Sequence, residues 1–136
     1  RGNGITKHGA IFESIGLKPG KLMVVFAGLT ELAGLILVAT GFFTTLGATM
    51  LLATMLVAAA SLFHNGVWAH LGGYEVALTY GLIAIVIMVS GPGSYSLDAL
   101  LGLSFSGLGW AAAGIAVAFI GSLPLTVQLF RHRSKA

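Results

Sequence analysis

No cysteine occurs among the 136 residues, so the chain forms no disulfide, has no thiolate nucleophile and cannot hold an iron–sulfur cluster through thiolates. Charge is nearly as scarce. Asp, Glu, Lys and Arg make up 8% of the residues, against about 25% in a soluble domain. Between Leu22 and Phe130 there is no Lys or Arg at all, which leaves no basic stripe for nucleic acid. A Gly-rich phosphate loop, a nucleophile elbow, a zinc signature and a pair of catalytically spaced carboxylates are also missing. A bis-histidine haem needs one His on each of two facing helices, and only His64 borders an apolar run. No metal or resident electron cofactor is therefore expected in this chain.

Apolar residues fill the space that charge leaves. The chain is 57% hydrophobic, and several runs long enough to cross a bilayer carry no charge. Four spans are read, at about 22–43, 46–63, 74–90 and 108–130, giving an all-α transmembrane bundle that occupies residues 22–130. Residues 1–21 read as an interfacial segment whose Ile11, Phe12, Ile15 and Leu17 suit one or two amphipathic turns, with His8 and Glu13 solvated. Residues 131–136 read as a basic tail. All Lys and Arg lie in these two ends, so an even number of crossings puts them on one side, and that side is expected to be the cytoplasm.

The first span holds one ionisable residue, Glu31, near its middle. A carboxylate at that depth costs about 2.5–3.5 kcal/mol on insertion scales and normally faces protein or trapped water. Ala27, Gly28, Gly34 and Gly41 share its face at helical spacing, so Glu31 is expected to be buried in a close-packed seam. The Thr54, Ala58, Ser61 row on the second span, or the third span near Tyr80, would be its wall. A second polar group, His64, His70 and Glu75, surrounds the connection to the third span. It is expected on the cytoplasmic side, where His exchanges protons with water, and is the better candidate than the remote Glu31 for delivering protons to a quinone; Glu75 alone also suits a helix N-terminus. Ser96 reads as an N-cap and Asp98 as a first-turn acid of a short interfacial helix. Pro124 is expected to kink the far end of the last span.

The blocks GxxxxHG, FESxGLxPG, AGLTELAGLILxxTG, GGYE and GPGxYSLDALLG, between Gly4 and Gly102, resemble the DoxX family of small integral membrane proteins. Glu31, His64, Glu75 and Asp98 fall on motif positions of that family. Family members normally begin with one more transmembrane helix before the HG block, so the resemblance implies a further helix upstream of Arg1. The helix from Leu108 is an addition that many members lack. Relatives have been linked to thiosulfate:quinone oxidation in sulfur-oxidising archaea and to an actinobacterial membrane complex with a superoxide dismutase and a sulfurtransferase. The resemblance thus implies a bacterial-type cell-membrane subunit, itself non-catalytic, that anchors redox partners and contributes to a quinone site. The alternative is a structural scaffold subunit without chemistry of its own.

Overall fold

The computed structural model describes residues 3–134; Arg1 and Lys135, which belong to the basic ends, lie outside the described residues. Six α-helices follow one another: α1 (Asn3–Ser14), α2 (Gly20–Thr40), α3 (Thr44–Leu62), α4 (Glu75–Ser90), α5 (Leu97–Leu100) and α6 (Leu108–Arg133). Two single 3-10 turns, Phe63–Asn65 and Ala69–Leu71, lie in the connection between α3 and α4. The all-α bundle expected from the apolar runs is what forms.

Small residues are inside and large ones outside. The innermost cluster contains Ala48, Leu52, Ala84, Met88, Ala111 and Ala118, while Leu22, Phe26, Leu32, Ile36, Leu82, Val86, Phe119 and Ile120 are exposed. A soluble bundle buries its large side chains, because removing apolar area from water drives its folding. In a bilayer the tails solvate the large groups, and close backbone approach over small residues holds helices together. The burial pattern is therefore that of a membrane protein.

Helix α3 is the axis, packed by α2, α4 and α6 on different faces. Against α2 the approach is tightest at two glycines. A Cβ on Gly47 would stand 2.7 Å from Leu37 Cβ and 2.9 Å from the Gly34 carbonyl oxygen. Against α6 the corresponding position is Gly114, where a Cβ would meet Thr49 Oγ1 at 2.6 Å and Met88 Sδ at 2.9 Å. Against α4, Gly81 faces Leu52 and Met55.

The termini sort into two ends. At one, Gly41 closes α2 in the left-handed region (φ 63°) and its carbonyl accepts from Asp98 N–H at 2.8 Å, beside the start of α3. The same end holds the turn after α4 and the start of α6, where Gly107 N–H donates to the Met88 carbonyl. At the other end, Arg133 donates to the carbonyls of Ala60 and Ser61, so α6 finishes beside the end of α3. Thus α2, α3, α4 and α6 run up, down, up and down. Lys7, Lys18, Lys21, Arg131 and Arg133 all belong to the second, basic end.

Three helical stretches, Gly20–Thr40, Thr44–Asn65 and Leu108–Arg133, are long and apolar enough to cross a membrane. The fourth, α4, has 16 residues and reaches about 24 Å, yet its two ends are tied to opposite ends of the bundle.

Several local expectations change. The break expected at residues 44–45, between the first two spans, lies at Gly41–Phe43, and α3 begins at Thr44. Residues 3–14 form three full turns rather than one or two, and they dock on α2: a Cβ on Gly20 would strike the Gly9 carbonyl. Glu13 is not simply solvated, because its Oε1 accepts the Gly20 N–H at 3.0 Å and caps α2, whose N-cap Pro19 has no side-chain acceptor. Residues Arg131 to Arg133 are the last turn of α6, not a free tail. Helix α6 continues through Pro124, whose missing N–H leaves the Ile120 carbonyl without its helical donor.

Candidate functional site

Helices α2 and α6 both pack on α3 but leave a gap between them. The result is a cleft of about 270 Å³, with Met23, Phe26, Ala27, Thr30 and Glu31 on one wall and Gly121, Ser122 and Leu125 on the other. Its floor is the α3 row Ala53, Thr54, Val57, Ala58 and Ser61, and Phe12, Ile15 and Leu17 close it toward the basic end. The docking of α1 at Gly9 and Gly20 is what places that closure, since Leu17 is itself buried.

Glu31 sits about 17 Å along α2 from Gly20, close to mid-bundle. It is half-buried rather than buried, because the cleft is open sideways. Thr54 and Ser61 line the same cleft as expected, but their hydroxyls are already used. Thr54 Oγ1 donates to the Leu51 carbonyl at 2.9 Å and Ser61 Oγ to the Ala58 carbonyl at 2.7 Å. Thr30 and Ser122 do the same, to Phe26 and Phe119. Such back-bonding satisfies the donor within its own helix and leaves lone pairs facing the cleft. Among the described residues the Glu31 carboxyl alone of the cleft's polar side chains makes no hydrogen bond.

Two expected neighbours are elsewhere. Tyr80 is 58% exposed and takes no part in the cleft, because α4 packs on the Leu52 and Met55 face of α3, whereas α2 packs on the Gly47 and Leu51 face. Gly28 has open space around it, so it is not in the Glu31 seam, while Gly34 is.

The His64, His70 and Glu75 group does not converge on a common point. His64 and His70 lie in separate 3-10 turns and are exposed. The His70 ring lies 6.4 Å from that of Trp68. Glu75 is drawn into the loop itself, where Oε2 accepts the Ala69 N–H at 2.9 Å. Among the described residues no group of three His, Asp or Glu side chains is placed to hold a metal.

Asp98 has a larger structural part than a first-turn acid. Ser96 caps α5 as expected, accepting the Ala99 N–H at 3.1 Å. Asp98, 2% exposed, reaches across the chain to the start of α3. Its Oδ1 accepts Phe43 N–H at 2.8 Å, and its Oδ2 accepts both Thr44 N–H and Thr44 Oγ1 at 3.0 Å. Phe43, with φ 44° and no capping side chain, is held there. A second cavity of about 290 Å³ opens beside it, between α3 and α6, walled by Phe43, Leu46, Phe105, Trp110, Ala113 and Val117. Phe43 stacks on Phe105 at 5.8 Å, and Phe105 meets Trp110 edge-on at 5.1 Å. The aromatic pocket was not foreseen from sequence; its one signal was the recurrence of Phe and Trp at both turns of that end.

Apolar outer faces, spanning lengths and an interior of small residues define a multi-pass membrane protein with an antiparallel helical core. The chain belongs to the DoxX family, whose model matches residues 2–70. That match covers α1, α2 and α3, and hence Glu31, Thr54 and Ser61. No curated protein and no solved structure matches the chain.

Proposed function

We propose that this chain is a cell-membrane subunit of an oxidoreductase assembly, anchoring redox partners and offering a lipid-soluble quinone the cleft beside Glu31. The observation that supports this reading is the cleft itself: a mostly apolar concavity between α2 and α6 with one unpartnered carboxyl at mid-bundle depth. Ligand sites of this kind combine an apolar concavity with one or two placed polar groups. A half-exposed carboxyl in a bundle interior is a functional position by default.

The role of each group follows from its bonding. The Glu31 carboxyl is placed to hydrogen-bond a quinone oxygen: two electrons from a partner's cofactor and two protons from water, passed one at a time through this carboxyl, convert the quinone to the quinol. The floor residues Ala53 and Val57 exclude water from the ring, and the lone pairs of Thr54 and Ser61 accept from the product's hydroxyls. His64, His70 and Glu75, dispersed around an exposed loop, suit a surface for docking a partner better than a proton relay.

Glu31→Gln keeps size and hydrogen bonding but cannot cycle a proton. In the complex purified with its natural partners, the quinone reduction rate is expected to fall by about a hundredfold, the usual scale for losing a general acid, while the complex stays assembled. An unchanged rate in an intact complex would favour a scaffold without chemistry.

A further inference from the structure

The aromatic pocket and the Glu31 cleft follow one another along α3 and α6. Their lining residues advance by single helical turns, from Thr49 to Ala53 on α3 and from Val117 to Gly121 on α6. Met50, half-buried on the same face of α3, stands between them by register. From Thr54, opposite Glu31, to Thr45 in the aromatic pocket is about 14 Å along α3. The one carboxyl lies at one end of this groove. In the aromatic pocket the two hydroxyls are spent internally, Thr45 Oγ1 on the Phe105 carbonyl and Thr49 Oγ1 on the Thr45 carbonyl. Apart from the Trp110 indole N–H, what is left lining it is ring surface and aliphatic carbon, suited to a hydrocarbon chain.

We infer that the groove binds one long carrier, its ring at Glu31 and its hydrocarbon tail threaded past Met50 into the Phe43–Phe105–Trp110 pocket. The inference rests on the reading of the Glu31 cleft as a quinone site and adds to it that the tail, and not only the ring, is recognised. A docked helix is the less favoured occupant, because the two cavities are separate, with Met50 between them by register, rather than one straight trough. Asp98 enters indirectly. By fixing Phe43 in its left-handed conformation it positions a wall of the tail pocket, 55 residues away in sequence.

The test measures binding, without electron transfer. Wild-type protein in lipid nanodiscs is titrated with a dimethoxybenzoquinone bearing a decyl tail and with the same ring bearing only a methyl group, each corrected for partition into the lipid. Burying several methylenes predicts at least about tenfold tighter binding of the tailed ring. Ala113→Phe and, on the opposite wall, Leu46→Trp are each expected to remove that advantage while leaving the affinity for the short ring within about twofold. Glu31→Ala, which removes the hydrogen-bonding group, is expected to weaken both rings alike. A wild type that binds the short ring but gains nothing from the tail would overturn the groove and leave the Glu31 site standing. Failure to bind either ring would remove both, and equal weakening of both rings by Ala113→Phe and Leu46→Trp would show that the pocket supports the fold and not the tail.

Discussion

Asp98→Ala is expected to lower the stability of the bundle by at least about 3 kcal/mol, seen as an earlier midpoint on thermal unfolding in detergent. Three donors converge on this buried carboxylate, two of them the backbone N–H groups that open α3. A hydrogen bond to a charged group contributes about 1.5–3 kcal/mol, and a stranded buried donor costs a similar amount. The carboxylate also faces the positive end of the α3 dipole, a favourable placement worth up to about 2 kcal/mol when partly buried. The residue it holds, Phe43, has a conformation that costs a non-glycine residue about 1–2 kcal/mol, so release of Phe43 would offset part of the loss. Asp98→Asn should be nearly as damaging, since its NH2 group would point at Thr44 N–H and Oγ1 in one orientation or at Phe43 N–H in the other. A midpoint within one degree of wild type for both variants would show that the turn from Gly41 to Phe43 is held by packing alone.

The second large effect is expected at Gly47. Leucine there must displace Leu37 Cβ and the Gly34 carbonyl, and the latter is backbone with no rotamer to change. Overpacking a tight core typically costs about 1–3 kcal/mol, and this position belongs at or above the top of that range. Because α2 carries Glu31, separation from α3 would also widen the cleft, so the variant should lose ligand affinity even where it remains folded. Gly28→Leu is the matched control. It lies on the same helix pair with nothing within 4 Å of its Cβ, and it should unfold with wild type. Equal behaviour of the two variants would contradict the close approach of α2 and α3.

The bundle was legible because the bilayer constrains composition so strongly: runs free of charge, flanked by Lys21 and Arg131, leave few alternatives to crossing helices. The association of Glu31 with Thr54 and Ser61 was legible as well, since helical spacing puts both hydroxyls on one face of α3. What periodicity does not carry is which face of α3 each neighbour takes. Leu52 and Leu51 are adjacent in sequence and nearly equivalent in hydropathy, yet one meets α4 and the other α2. Hence Tyr80 was grouped with Glu31 although α4 lies across α3 from it. Long-range caps were hidden for a related reason. Glu13 and Asp98 each read as local surface acids, and only the tertiary fold reveals that the helices they serve, α2 and α3, begin at Pro19 and Phe43 without capping side chains. Their signal was present as an absence, namely a helix start with no Ser, Thr, Asp or Asn at the N-cap position.

The account depends most on α4 crossing the membrane despite its 16 residues, because that crossing brings the basic ends together and sets the depth of Glu31. A chain without cysteine makes the measurement clean, since each introduced thiol is the only one. Leu71→Cys, Ser94→Cys and Ser134→Cys place thiols at exposed positions before α4, after α4 and after α6. In intact cells a membrane-impermeant maleimide is expected to label Ser94→Cys alone, with Leu71→Cys and Ser134→Cys reacting only once the membrane is opened, as the positive-inside rule requires. Labelling of Leu71→Cys and Ser94→Cys from the same side would contradict the four-crossing bundle.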